Sequence, residues 1–289
     1  MRKHPANRRV SFCVLHADGR ILHQVLDTLP IYSVTKTVIA HTIRLLEIDP
    51  KKRISEWIEV DLCPHSITVQ QLLNHTSGLT DYSALPAYKE AIAKGEVWDD
   101  ETFAKHTLQQ PLLTTPGLNF CYSNPGYWLL NKIIERVTDQ RLAQVMDELI
   151  FKPLEMTSTY VAEGQFAPDL PDYPAEWVWH GLIMSNALDV ARFLQSLDSE
   201  HYLDNAHPIN ESHPSWQDPH YGNGLMIEPG VRFGHYGGGP GYSAATMHFL
   251  STGITACVLE SISDPALTDP ALTDPAAETL LKLVEEIGF

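Results

Sequence analysis

Strand-type patterning stands at both ends of this 289-residue chain, and helix-type patterning fills the middle. Val10 to Leu15 and Ile21 to Leu26 flank Ala17-Asp18-Gly19, a turn signal, and predict a β-hairpin. Strand signals return only at Gly224 to Ile227, Arg232 to His235, Ser243 to Leu250 and Thr255 to Leu259, the last three at the spacing of an antiparallel meander. The economical arrangement is one antiparallel sheet built from both chain ends, with a helical segment inserted between them. The expected fold class is therefore α+β, an α/β sandwich in which an antiparallel five-stranded sheet is flanked by helices. Residues 1-58 and 176-289 are expected to form the sheet domain and 59-175 the helical domain. Their junction is a usual place for a small-molecule pocket.

Between the ends the apolar spacing is helical. From Ser33, apolar residues recur at Val34, Val38, Ile39, Ile43 and Leu46, so Ser33 is expected at or near a helix N-terminus. Asp49-Pro50 stops that run. Ile67 to Leu73 predicts a short helix with Gly78 as a C-cap, followed by helices over Ala84 to Lys94 and Asp99 to Gln109. Asn119 to Tyr122 reads as extended. Pro125 then opens a helix over Gly126 to Thr138 with Leu129, Leu130, Ile133, Ile134 and Val137 as its stripe. Leu142 to Ile150, Asn186 to Leu197 and Ala276 to Ile287 are also helical, and Glu200 to His220 reads as a polar surface loop. The repeat Asp264-Pro-Ala-Leu-Thr, again at Asp269 and partly at Asp274, reads as a linker with Asp caps and Pro at the first helical position.

Composition narrows the partners. Hydrophobic residues make up 44% and charged residues 19%, and the formal net charge is −16. That balance disfavours nucleic acid, whose phosphates need Lys and Arg. No apolar run approaches the roughly 18 residues of a membrane span, and Val10 to Leu15 is too short for a secretory h-region. As written the chain reads as cytoplasmic, or as periplasmic or extracellular if a leader precedes it. Cys13, Cys63, Cys121 and Cys257 show no zinc spacing and read as buried free thiols.

Three short segments carry chemistry. In Ser33-Val-Thr-Lys36 the two polar side chains are three apart, one helical turn, with about 5–6 Å between Cβ atoms. A serine hydroxyl is a weak nucleophile until a base removes its proton, and a lysine serves as that base once burial lowers its pKa. Tyr122 and Asn124, two apart, project to one side of extended backbone: a phenol relays a proton and an amide hydrogen-bonds a carbonyl. The alternative is a packed tyrosine and a turn asparagine before Pro125. His235 and Gly237 share one strand face, and Gly237, Gly238, Gly239 and Gly241 are expensive in a strand. Either a ligand approaches that backbone closely, or the glycines mark a bulge. His201, His207, His213 and His220 lack helical ligand spacing, so no metal or cofactor is expected. Trp177 and Trp179 either line the pocket or simply pack.

Taken together, Ile31-Tyr-Ser-Val-Thr-Lys36, Leu72-Leu-Asn-His-Thr-Ser-Gly-Leu79, Tyr122-Ser-Asn-Pro-Gly-Tyr127, His180-Gly-Leu-Ile183 and Gly234-His-Tyr-Gly-Gly-Gly-Pro-Gly-Tyr-Ser243 resemble the serine β-lactamase and penicillin-binding-protein superfamily. The branch of class C β-lactamases, D-alanyl-D-alanine carboxypeptidases and related esterases is the nearest. The resemblance implies a β-lactamase/transpeptidase-like fold and a covalent acyl-enzyme on Ser33. Lys36 and Tyr122 would share general-base and general-acid duties, and Asn124, His235, Gly237 and Gly238 would bind substrate. The Ser33 and Gly238 N–H groups would form the oxyanion hole. The implied activity is hydrolysis of an ester or small amide or peptide, with weak β-lactamase activity as one form of it.

Two departures qualify this. Many relatives carry Lys-Thr-Gly where this chain has His235-Tyr236-Gly237, and a histidine is only partly charged near pH 7. That shifts weight from carboxylate-bearing substrates toward an esterase or another peptidase. Only nine residues precede Val10, where the family carries an N-terminal helix. One sheet face is then partly uncovered or covered by a second subunit, which makes a homo-oligomer an expectation. The competing reading is a penicillin-binding-like scaffold or binding module that acylates poorly or has lost turnover.

Overall fold

The structure, a computed structural model, describes residues 9–83, 85–166, 173–197, 205–209, 216–262 and 275–288. In chain order its elements are β1 (Val10–Leu15), β2 (Ile21–Val25), β3 (Leu29–Pro30), α1 (Thr35–Leu45), α2 (Val69–Leu73), α3 (Pro86–Lys94), α4 (Asp100–His106), α5 (Asn124–Thr138) and α6 (Leu142–Met146). They continue with β4 (Tyr160–Val161), β5 (Ile183–Ser185), α7 (Ala187–Gln195), β6 (His207–Pro208), β7 (His220–Gly222), β8 (Leu225–Glu228), β9 (Arg232–Gly239), β10 (Tyr242–Phe249), β11 (Ile254–Ser261) and α8 (Pro275–Glu286).

One antiparallel sheet joins the two chain ends in the order β2-β1-β11-β10-β9-β8-β7-β6. The joint is β1 on β11, with Cys13 opposite Cys257. The sheet is wider than the five strands expected from sequence: β7 and β6, three and two residues long, extend the edge beyond β8. Elements this short carry too little alternation to be read from a pattern. A second sheet, β3-β5-β4, ties the chain just before Ser33 to the segment after His180.

Alternation along the central strands sends side chains into two cores. Cys13, Leu15, Cys257 and Leu259 join the core that includes Val190, Ala191 and Leu194 of α7, whereas Val14, Ala256 and Val258 face Ala276, Ala277, Leu280 and Val284 of α8. Helices thus cover both faces of the central strands, as period-2 strands buried on both sides require, while β2 at the edge is largely exposed. The repeat at Asp264 and Asp269 lies outside the described residues, and Pro275 stands at the start of α8.

Local chemistry explains where the helices begin. Thr68 and Gln71 form a reciprocal capping box on α2, and Asp99, Ser123 and Asn186 accept from the first-turn N–H groups of α4, α5 and α7. α5 buries Leu129, Leu130, Ile133 and Ile134 completely, each worth about 1.5–3 kcal/mol over exposure. It packs against α1 and α2. The Gly78 expectation needs correction: α2 ends at Leu73, and the turn that follows is made by His75, with φ +55°. Gly78, at φ +76°, serves a close approach instead, since a Cβ there would sit 2.4 Å from the Thr114 carbonyl oxygen. Trp177 and Trp179 are buried, Trp179 stacked on Phe103 at 4.0 Å and Trp177 edge-on to Tyr88. They are packing residues of the helical layer.

Candidate active site

Ser33 stands in a 3-10 turn, Tyr32–Val34, that leads directly into α1. The residue before it is held in the left-handed region: Tyr32 has φ +42°, which costs a non-glycine residue about 1 kcal/mol or more. Its hydroxyl donates to the Pro240 carbonyl at 2.8 Å, which anchors the turn to the β9–β10 connection. One turn on, Lys36 is wholly buried, and its Nζ donates to Ser33 Oγ at 3.0 Å. From the loop before α5, the Tyr122 hydroxyl donates to the same oxygen at 2.9 Å. A hydroxyl, an amine and a phenol separated by up to 89 residues of sequence thus meet at one atom.

The electrostatics sort the two partners. Burial drives Lys36 well below the usual lysine range, opposed only in part by Asp81. Burial pushes the Tyr122 phenol up, with its bond to Ser33 opposing. The amine is therefore the group prepared to take a proton, and the phenol the group that keeps one. Lys36 Nζ lies over the Tyr122 and Tyr127 rings, 5.0 and 5.7 Å from their centroids.

The third segment behaves differently from its sequence reading. His235 and Gly237 lie on β9 as expected, but the His235 ring is buried. Its Nδ1 lies against the Tyr236 carbonyl and so carries the proton, which leaves Nε2 to accept from the Tyr221 hydroxyl at 2.9 Å. Burial, reinforced by Lys36, lowers its pKa to about 3. Burial is thus the physical reason that the partial charge expected near pH 7 is disfavoured. The glycine question also resolves toward the protein's own backbone. A Cβ on Gly237 would lie 2.2 Å from the Ile31 carbonyl oxygen and 2.9 Å from the Ser33 nitrogen. It is the serine turn that approaches β9 closely. Gly237→Ala is expected to displace that turn, lowering Tm by several degrees and ester turnover at least 10-fold. Circular-dichroism melts and initial rates check both.

Asn124 opens α5. Its backbone N–H donates to Asp81 Oδ2 at 2.7 Å, and its side-chain Oδ1 is buried with no partner among the described residues. Tyr122 and Asn124 do not share an extended strand, because Ser123 between them is the helix cap. Gly238 pairs with Ser243 on β10. Of the four loop histidines, His207 and His220 lie on the adjacent strands β6 and β7, and His201 and His213 fall outside the described residues.

Sequence reasoning singled out neither His75 nor Tyr221 nor Asp81. His75 is fully buried among Tyr122, Tyr127, Tyr221 and Phe120. Its only sequence signal was its place in the Leu-Leu-Asn-His-Thr-Ser-Gly run. Burial lowers the pKa of His75 and of His180 well below the usual histidine range, with Lys36 adding to both. With His235, three histidines fold neutral. Below pH 6.5 the unfolded chain binds protons that the folded chain does not, so stability rises with pH across that range and falls as pH drops. Urea melts from pH 7 to pH 4 are expected to show stability decreasing by up to about 1.4 kcal/mol per pH unit for each such histidine.

Comparison with known proteins bears on the family and on the fold. A family model described as Beta-lactamase matches residues 16–281. Penicillin-binding protein 4* of Bacillus subtilis (strain 168) is 26% identical over 266 residues, 75% of this chain and 57% of that protein. A D-aminopeptidase of Brucella ovis is 30% identical over 142 residues, 48% of this chain and 24% of that protein. The chain thus spans little more than half of one of these relatives and about a quarter of the other. Among solved structures, the D-amino acid amidase of Ochrobactrum anthropi SV3 complexed with L-phenylalanine superposes with TM-score 0.76 at 21% identity, covering 96% of this chain and 93% of that one. That likeness concerns the fold.

Proposed function

The chain belongs to the beta-lactamase family, and from that premise we propose that it is a serine hydrolase that forms a covalent acyl-enzyme on Ser33 and hydrolyses an ester or a small amide. The observation that carries the reading is the convergence of Lys36 Nζ and the Tyr122 hydroxyl on Ser33 Oγ, at 3.0 and 2.9 Å.

In the proposed sequence the Ser33 hydroxyl proton passes to the Lys36 amine while Oγ bonds to the substrate carbonyl carbon. The Ser33 and Gly238 N–H groups donate to the oxyanion. Tyr122 delivers a proton to the departing alkoxide or amine as the C–O or C–N bond breaks, and recovers one from Lys36. Water then attacks the acyl carbon as its proton passes to Lys36, and that proton returns to Ser33 Oγ as the acyl–Oγ bond breaks. Asn124 is the candidate for holding the substrate's acyl side chain. The buried, neutral His235 supplies no fixed cation for a carboxylate, which favours an ester or an uncharged amide over penicillins. The names of the relatives, D-aminopeptidase and D-amino acid amidase, support a D-configured aminoacyl amide as one form of that substrate.

The site draws Ser33 and Gly238 from the proposed sheet domain, 1-58 with 176-289, and Tyr122 and Asn124 from the proposed helical domain, 59-175. No helix among the described residues is long and apolar enough to cross a membrane. A reducing cytoplasmic setting fits the free thiols of Cys13, Cys63 and Cys257, all buried. A homo-oligomer is the proposed cover for the β2 edge, where Ile21, Val25 and Leu26 are exposed.

The test is turnover of a p-nitrophenyl ester and of a chromogenic cephalosporin, followed by intact mass. Multiple turnovers of the ester with a transient acyl adduct support the proposal. A stable adduct without turnover selects the binding-module reading, and no adduct from any acylating probe rules out the covalent mechanism.

A further inference from the structure

His75 touches each of the three residues that carry and flank the phenol. Its carbonyl accepts the Cys121 N–H at 2.7 Å, its ring lies 4.2 Å from the Tyr122 ring, and its Nδ1 accepts the Ser123 N–H at 3.1 Å. The hydroxyl it would orient is already 2.9 Å from Ser33 Oγ. Because Nδ1 accepts, Nε2 carries the ring proton, and that atom is buried with no hydrogen-bond partner among the described residues. The backbone at His75 is held at φ +55°. An orphaned buried donor and a left-handed non-glycine backbone both work against stability. A ring placed only to fill space needs neither, since a hydrocarbon would pack there without the unmet donor.

Resting on the acyl-enzyme reading above, we propose that His75 is a positioning residue for Tyr122. Its Nδ1 and carbonyl clamp the Cys121–Ser123 backbone, and its ring backs the phenol, so that the hydroxyl stays in line with Ser33 Oγ. His75 itself touches no substrate and transfers no proton. The chemistry asks for an imidazole in its Nε2–H tautomer, because only then is Nδ1 an acceptor. A displacement of about 1 Å at a proton-transfer group costs on the order of 100-fold in rate, which sets the scale of the effect.

Asparagine and glycine both tolerate the left-handed backbone, and the Asn Oδ1 falls near the position of the His Nδ1. His75→Asn therefore keeps the acceptor, and His75→Gly removes it. With p-nitrophenyl acetate as the probe, the acylation rate of Ser33 is followed by burst kinetics and intact mass in both variants. Each is also combined with Tyr122→Phe. His75→Gly is expected to lower kcat about 10- to 100-fold with KM within about 2-fold, and His75→Asn to recover most of that loss. In the Tyr122→Phe background neither change should slow acylation further, because the group being positioned is gone. If His75→Gly does not accumulate as folded protein, His75→Phe replaces it, retaining a ring and lacking the acceptor. The inference is overturned if the acceptor-free variant acylates at the wild-type rate, if His75→Asn is as slow as that variant, or if the His75 and Tyr122 losses add in full. A wild type that is never acylated at Ser33 overturns the proposed activity, and this inference with it. A labelled wild type with any of the three outcomes above overturns the positioning role alone.

Discussion

Ser33→Ala is expected to lower ester turnover by roughly 10^4-fold or more and to abolish the acyl adduct seen by intact mass. The magnitude is that of removing the atom on which the other two groups act, and effects within such a unit do not add. A Ser33→Ala, Tyr122→Phe double variant should therefore be no slower than Ser33→Ala alone. Stability should change little, within about 1 kcal/mol, because only one hydroxyl is removed from a partly exposed position. A Ser33→Ala protein that still shows a burst and a mass adduct would end the covalent mechanism. Loss of activity with loss of the folded circular-dichroism spectrum would instead show a structural defect.

Lys36→Met is expected to slow acylation by about 10^2- to 10^4-fold, the range of a general base, while raising Tm. The two effects share one cause. Lys36 is completely buried and its ammonium is strongly disfavoured by desolvation. Its folded pKa lies below its unfolded value of 10.5. Between those two values the unfolded chain binds the extra proton, so stability increases with pH there, and at neutral pH the lysine is a net burden. Methionine has a similar length and no charge to desolvate, and removes that burden. A rise of roughly 2–4 °C per kcal/mol relieved is the expected scale. The pH profile supplies a second readout. In the wild type, kcat/KM should rise with pH through the depressed pKa of Lys36 and show no limb from His235, which stays neutral above about pH 3. In Lys36→Met the Lys36 limb should vanish. Lys36→Arg is not a rescue, because a guanidinium keeps its proton. A Lys36→Met variant with unchanged rate would transfer the base role to Tyr122, against the raised pKa of its phenol.

Much of the fold and part of the site are legible in the amino-acid sequence. The hairpin at Val10, the meander ending at Ser261 and the stripe of α5 each carried a strong period. Ser33 and Lys36 share a helical face by geometry alone. Where the reading fell short, the missing information was not periodic. β6 and β7 are too short to show alternation. Gly237 read either as room for a ligand or as a bulge, and neither reading shows that a Cβ there would meet the Ile31 carbonyl, over 200 residues away in sequence. His235 looked partly charged, whereas its ring is buried and hydrogen-bonded to Tyr221. His75 stood only within the Leu72 to Leu79 run, and nothing in that run marked the histidine itself, since one histidine beside a short helix is common.

The sequence by itself determined the sheet assembled from both chain ends, the helical insertion, and the pairing of a hydroxyl with an amine one turn apart, because these depend on local spacing along the backbone. Only the tertiary structure decided which ionisable groups hold protons and what surrounds them. Protonation follows from desolvation and from neighbours brought in from distant segments. Lys36, His75 and His235 are buried beside Tyr127 of α5 and Tyr221 of β7, rings brought from distant segments.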